Sequence, residues 1–299
     1  MKIAVLGVSG FVGRHLAEHL AQKHQVNGWS RQSIQLQAIS WYPFSLHQFD
    51  VQVLLPFDVV IYAMGAGVQS TDAVTDTEIW EVNLYFPMRL IQELNQLNFQ
   101  GRLITLGTYF EIGNQAQPAE FNEQQVVLSP LAVSNTYCAS KRLLSRFIHA
   151  LPRKLQHIHL FLPTVFGAGE AAHRLIPVLV ASLSNGKQPH LSQGTQVRQY
   201  LAITDFCNMI DQLLKLPKWP FVFLNFPAAE TLSVRMVAEK VYRFFNQPMP
   251  TDLFGSVATR DGAMQYLALN SRLYKTHDLV MPRHLIDDTL SHYAHVQKF

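Results

Sequence analysis

Three glycines, Gly7, Gly10 and Gly13, set directly after the apolar run Ile3 to Leu6, constrain this chain more than any other feature. A short continuous apolar run reads as a central parallel strand buried on both faces. A helical pattern follows at once, through Phe11, Leu16 and Leu20. Strand, Gly-x2-Gly-x2-Gly turn and helix in that order predict a dinucleotide-binding unit. Gly7 permits the tight turn, Gly10 lets backbone approach a pyrophosphate, and Gly13 lets helix and strand pack closely. The free N–H groups of the helix N-terminus face the phosphates. On this reading Gly7, Ser9, Gly10, Phe11, Val12 and Gly13 form the phosphate end of a cofactor site.

The chain then alternates strand and helix signals. Gln25 to Trp29 reads as a second strand ending in Ser30-Arg31. An NAD site usually carries an Asp or Glu there for the ribose 2′-hydroxyl. A hydroxyl and a guanidinium suit a 2′-phosphate instead, which favours NADP, with NAD kept as the alternative. Residues 32–57 are weakly patterned; Phe49-Asp50-Val51 reads as a strand end that places Asp50 near the adenine. Asp58 to Tyr62 is another buried strand, and the small residues after it, Ala63 and Gly65 among them, let a cofactor lie across the sheet edge. Residues 79–97 form a helix by periodicity, with Asn83 inside it. Asparagine is unfavourable in a helix interior, so it is either solvated or buried as a bridge between backbone groups; the second case places it at the cofactor loop. Arg102 to Leu106 is a strand that delivers Thr108 to its carboxyl end, where ligands of open α/β sheets bind. A helix over 133–150 and a strand over 157–162 follow.

Tyr137-Cys138-Ala139-Ser140-Lys141 carries the chemistry. Tyr and Lys four apart share one face of a helix. An ammonium held beside a phenol favours the phenolate, so the tyrosine is expected to titrate nearer neutrality and act as acid or base. Such a pair alone means little; with the glycine turn and Thr108 it points to an oxidoreductase.

Composition excludes other classes. Hydrophobic residues make up 48% of the 299 and charged residues 15%, with a net charge of +3. That is a globular chain with no basic excess for nucleic acid or a membrane surface. No apolar stretch has the length of a membrane span, and the opening run is too short and glycine-rich for a signal peptide. Two cysteines, Cys138 and Cys207, form no disulfide framework, so a reducing, cytoplasmic setting is expected. The 13 histidines show no metal-binding spacing.

These residues resemble the extended short-chain dehydrogenase/reductases, and among them the nucleotide-sugar epimerases, dehydratases and 4-ketoreductases. The resemblance rests on the three glycines, Thr108 five residues before Gly113, Tyr137-x3-Lys141 and Pro163-Thr164-Val165-Phe166-Gly167. Further on it rests on Arg174-Leu175-Ile176-Pro177, on Gly194-Thr195-Gln196-Val197-Arg198 and, more loosely, on Arg260-Asp261-Gly262. It implies a Rossmann-type, doubly wound parallel α/β sheet over 1–165. Residues 197–225 add to that sheet, and 166–299 mainly form a smaller substrate-binding portion. It implies that Tyr137 exchanges a proton with a sugar oxygen, that Thr108 bonds the same oxygen, and that Lys141 bonds the nicotinamide ribose and lowers the Tyr137 pKa. Pro163 and Val165 would border the cofactor. Tyr109, Arg174, Arg198 and Arg260 would face a sugar nucleotide, the two last at its pyrophosphate. Family dehydratases carry Asp and Glu directly after the threonine, where this chain has Tyr109 and Phe110, so dehydration is not expected. An NADPH-dependent 4-ketoreductase making deoxyhexoses for surface polysaccharide fits best, with an NAD-dependent C4-epimerase as alternative. A non-catalytic dinucleotide-binding sensor is the reading from a different class. Dimers through the helices at 77–97 and 133–150 are a family habit.

Overall fold

The computed structural model describes residues 1–68, 74–152, 154–257 and 264–296. Arg260 therefore lies outside the described residues.

The first half alternates strictly. β1 (Lys2–Leu6) leads to α1 (Phe11–Ala21), β2 (Gln25–Ser30), β3 (Ile39–Pro43) and β4 (Val59–Tyr62). α2 (Asp76–Trp80) runs through a wider turn into α3 (Phe86–Gln96), followed by β5 (Arg102–Thr108), the short α4 (Glu123–Val127), α5 (Thr136–Ala150) and β6 (Gln156–Leu162). The second half contains β7 (Thr164–Phe166), α6 (Leu175–Asn185), β8 (Val197–Ala202), α7 (Ile203–Lys215), β9 (Phe223–Asn225) and β10 (Glu230–Ser233). α8 (Val234–Phe244), β11 (Tyr266–Leu267), α9 (Arg272–Lys275) and α10 (Ile286–Val296) complete it.

Seven strands form one parallel sheet in the order β3-β2-β1-β4-β5-β6-β9. This is the Rossmann order with one strand added at the edge. β1 is central: Ile3 pairs in register with Val26 on one side and Val59 on the other, and Ile3 to Leu6 are fully buried. One face of the sheet packs on α1 and α7, the other on α3 and α5. A second sheet is built on β8, paired parallel with β7 and β11 and antiparallel with β10. Of residues 197–225, β9 joins the large sheet and α7 packs on α1, while β8 heads the second sheet. None of the described helices is long and apolar enough to cross a membrane.

Two local expectations are corrected. Phe49-Asp50-Val51 is not a strand end: Asp50 caps a 3-10 turn over Val51–Leu54 by accepting from the Gln52 N–H. The strand in the weakly patterned stretch is β3, an edge strand with mostly exposed residues, so it lacks the apolar run that marks a buried one. The helix expected over 79–97 begins at Asp76 and contains a π-helical turn at Glu81–Tyr85, where the Phe86 N–H reaches back to the Glu81 carbonyl. Pro87 explains it, because its ring would strike the carbonyl four residues back, that of Asn83.

Candidate active site

The glycine turn is shaped by close backbone approach. Gly7 adopts φ +104°, and a Cβ there would sit 2.9 Å from the Met64 nitrogen; a Cβ at Gly13 would sit 2.2 Å from the Gly7 carbonyl oxygen. Gly10 caps α1 with backbone alone, and no acid occupies the helix's first turn. Ser9 and Gly10 are exposed, while Phe11 and Val12 pack on the core beside Val165. The Phe11 ring lies 3.6 Å from where a Cβ on Gly167 would stand, so the turn and the 163–167 segment meet. Pro163 is buried beside them. This cradle fits a dinucleotide: its bare backbone offers the N–H groups that phosphates require.

Asn83 proves to be the buried bridge. Its side chain accepts from the Ala66 N–H at 3.0 Å and donates to the Ala66 carbonyl and to Ser140 Oγ. It thereby ties the loop carrying Ala63 and Gly65 to α5. Being fully buried with its amide engaged, it holds the loop after β4 in place and does not face the cleft.

At the end of β2 the expected pair divides. Ser30 is buried; its hydroxyl donates to the Gln32 carbonyl and accepts from Trp41 Nε1. It is therefore engaged inside the protein, which corrects its assignment to a 2′-phosphate. Arg31 is exposed and pairs with Glu78 at 2.7 Å.

α5 is started by Asn135, whose side chain accepts from the Cys138 N–H, and it turns Tyr137 and Lys141 inward. Lys141 Nζ donates to the Leu106 carbonyl at 2.9 Å, near the end of β5. Burial pushes Lys141 down to about 8, opposed by the carboxylate of Glu111. Tyr137 departs from expectation. Burial pushes its phenol above its ordinary value, Cys138 and Glu111 push the same way, and a hydrogen bond with Thr108 and the charge of Arg174 oppose. Lys141 is not among the groups that move it. Tyr137 is thus a protonated phenol at neutral pH, not a phenolate.

Tyr137 opens on a cavity of about 740 Å³ that Phe110, Arg174, Arg198 and Tyr200 also line. That volume suits a small-molecule ligand. Arg198 is buried; its guanidinium donates to the Val197 and Met264 carbonyls and stacks over Phe110. Two carbonyls and, among the described residues, no carboxylate leave its charge available to an anion. Arg174 is braced by Glu170, which also accepts from Tyr293 of α10. Tyr109 does not reach the cavity: it is fully buried, with its hydroxyl 2.5 Å from Thr164 Oγ1, so its assignment to substrate is corrected. Thr108 is also buried and caps the turn after β5. Glu170 and Glu111 were missed in the sequence. The second had a signal, since Thr108-x-x-Glu111 is a capping box, observed here. No His, Cys, Asp and Glu cluster among the described residues is arranged to hold a metal.

Solved structures share this architecture. UDP-glucuronic acid 4-epimerase from Bacillus cereus, in complex with UDP-glucuronic acid and NAD, superposes with a TM-score of 0.83 at 16% identity, over 100% of this chain and 99% of that one. DesIV, a dTDP-glucose 4,6-dehydratase from Streptomyces venezuelae with NAD bound, gives 0.84 at 17% identity over 100% and 98%. In sequence the chain is 26% identical over 220 residues to the dTDP-6-deoxy-L-talose 4-dehydrogenase (NAD(P)(+)) of Kitasatospora kifunensis, across 71% of this chain and 67% of that protein. The profile of the NAD dependent epimerase/dehydratase family matches residues 3–219. With the glycine turn, the strand order and the Tyr137–Lys141 helix already in place, that match is decisive: the chain belongs to the NAD-dependent epimerase/dehydratase family of enzymes.

Proposed function

We propose that this enzyme is a 4-ketoreductase acting on a nucleotide-linked deoxyhexose, with NADPH as the preferred reductant, in the making of surface-polysaccharide sugars. The observation that carries the reading is the surface after Thr108. Phe110 presents an apolar ring to the cavity, Tyr109 is buried against Thr164, and Glu111 is buried beneath the turn. No acid stands at the two positions where family dehydratases carry theirs. The relative in Kitasatospora, named for chemistry at C4 of a dTDP-6-deoxy sugar, supports the same class.

Bound in the cradle of Gly7, Gly10 and Gly13, a nicotinamide dinucleotide supplies the hydride. The chain supplies the rest. Arg198 and Arg174 hold the anionic part of the sugar nucleotide. Thr108 and Tyr137 position the keto oxygen, and Tyr137 gives it a proton from Oη. A phenol that burial keeps protonated is suited to that donor role. Lys141 holds the cofactor ribose.

One observation favours a second reading. Because Ser30 is engaged internally and Arg31 is paired with Glu78, the 2′-phosphate argument rests on Arg31 alone, which leaves room for an NAD-dependent C4-epimerase. The test is incubation of the purified enzyme with 4-keto and 4-hydroxy sugar nucleotides. A ketoreductase consumes NADPH stoichiometrically with the 4-keto substrate, and Tyr137→Phe lowers kcat by about 100-fold or more while sparing cofactor binding. Interconversion of 4-hydroxy sugar nucleotides without net cofactor consumption establishes the epimerase instead. Full activity of Tyr137→Phe refutes both.

A further inference from the structure

Directly beneath the Thr108 turn lies a buried polar cluster that the reaction above does not use. Glu111 is fully buried. Its Oε1 accepts from the Thr108 N–H at 2.8 Å and stands 3.9 Å from His159 Nε2. Among the described residues its Oε2 has no hydrogen-bond partner, and neither has His159 Nε2. Behind them, Thr105 Oγ1 lies 2.8 Å from both His159 Nδ1 and His157 Nε2. With one hydroxyl proton, Thr105 donates to no more than one ring and accepts from at least one. Gly107 makes the stack possible: a Cβ there would fall 2.3 Å from His159 Nε2 and 2.7 Å from Glu111 Oε1.

A buried carboxylate with one oxygen unpartnered is unfavourable. The capping of the turn does not demand it, since a glutamine in place of Glu111 would accept from the Thr108 N–H equally well. What distinguishes the acid is its charge, and that charge faces the reaction centre. The groups packed around Lys141 and Tyr137 can be named. Lys141 Nζ bonds the carbonyl of Leu106, next in the chain to Gly107, where a Cβ would lie 2.7 Å from Glu111 Oε1, and among the described residues the carboxylate of Glu111 is the charge that favours the ammonium of Lys141. Tyr137 is faced by Cys138, Glu111 and Arg174. Glu111 itself is faced by His159 and, from α5, by Arg142, whose guanidinium is tied to the carbonyls of Glu111, Ile112 and Leu131. His157 brings no competing positive charge near neutrality, because burial and His159 push it down to about 3.

We propose that Glu111 is a positioning residue for the Tyr137–Lys141 pair: its buried carboxylate holds the Thr108 turn from below and is the counter-charge that keeps Lys141 an ammonium. This rests on the reading of Tyr137, Lys141 and Thr108 as the reaction centre. Glu111→Gln preserves the acceptor for Thr108 and removes the charge. Loss of the charge lowers the acid constant's midpoint of Lys141 and also that of Tyr137. Both groups then lose their protons at lower pH, so the alkaline limb of a reductase's kcat profile moves toward neutrality.

The test is an NMR titration of ε-carbon-labelled lysines in the protein without added cofactor, with the Lys141 signal identified by its loss in Lys141→Met. The expected result is a Lys141 midpoint lower by about half a pH unit or more in Glu111→Gln, with a matching acidward move of the kcat limb. An unchanged or raised midpoint overturns the proposal. Where Glu111→Gln folds too poorly to titrate, the double-mutant cycle with Lys141→Met decides, since removing a stranded ammonium must raise stability more in the Glu111→Gln background than Lys141→Met does in the parent. A gain no larger than in the parent overturns the proposal. Failure here is distinct from failure of the functional reading: the first shows as an unmoved Lys141 midpoint with Tyr137→Phe still inactive, the second as an active Tyr137→Phe.

Discussion

Two turns at the carboxyl edge of the same sheet are built in opposite ways. The turn after β1 is made by missing atoms: Gly7 and Gly13 let backbone touch backbone, and no side chain caps the helix that follows. The turn after β5 is made by buried side chains: Thr108 and Glu111 cap each other, Lys141 reaches the Leu106 carbonyl, and His159 stands behind. The first needs a residue type at each position because only glycine fits. The second needs a set of groups drawn from β5, α5 and β6, whose spacing in the chain carries no mark of their meeting. The difference separates what a local motif can specify from what only the folded sheet assembles.

The sharpest way to break that contrast is to give the first turn a side chain. In Gly13→Ala the new Cβ meets the Gly7 carbonyl at 2.2 Å, and both atoms belong to the packed β1–α1 unit. A loss of about 3 kcal/mol is expected, read from denaturant or thermal unfolding. Gly10→Ala is the control. Its Cβ would lie no closer than 3.4 Å to the Gly7 oxygen, so stability should hold while dinucleotide affinity falls, because the exposed Gly10 is where backbone must approach the phosphates. Equal stability of the two variants would mean that the turn is not set by backbone contact.

At the second turn the corresponding change removes a charge. Lys141 is almost fully buried, and that burial pushes it down to about 8 from an ordinary 10.5. Between those values the unfolded chain holds a proton that the folded chain has lost, so stability rises with pH across that window. Below about pH 8 both states are protonated and the penalty is constant. Lys141→Met is therefore expected to stabilise the protein by roughly 1–3 kcal/mol at neutral pH, with the gain shrinking from pH 8 toward 10.5. Its turnover is expected to be lost. A variant less stable than the parent at pH 7 would show that the lysine is held by more than its bond to Leu106.

The legibility of the chain follows the same division. β1, the glycine turn and α1 stand where periodicity puts them, because a strand buried on both faces has no choice but an apolar run. β3 escaped notice since an edge strand has no such need. Asn83 stood out as a misplaced residue, but its two partners, Ala66 and Ser140, lie 17 and 57 positions away. Pro87 was the readable cause of the π-helical turn around it. Tyr137 and Lys141 were found by spacing, yet burial raises the Tyr137 phenol where the spacing predicted a lowered one, because four-residue spacing says they share a helix face and says nothing of how deeply the fold buries it. Glu111 sat in a recognisable Thr-x-x-Glu box; its role depends on His159 and Gly107, which only the sheet register brings together.

The smallest effect belongs to Arg31, a side-chain position placed beside the backbone-made turn. Its guanidinium is well exposed and paired with Glu78 on α2, so the pair is screened by solvent. Exposed pairs of this kind contribute ~0.5 kcal/mol or less, and Arg31→Ala should scarcely move the melting curve. Its informative readout is cofactor choice. A guanidinium that binds a 2′-phosphate must leave Glu78, so NADPH affinity should fall in Arg31→Ala while NADH affinity stays level. Glu78→Gln should do the reverse, strengthening NADPH binding by freeing the arginine. Calorimetric titration of both variants with both cofactors checks this. If neither variant alters the ratio of the two affinities, the end of β2 does not choose the cofactor. The choice then passes to the other exposed residues of the β2–β3 loop, and a one-way reductase is left resting on the surface after Thr108.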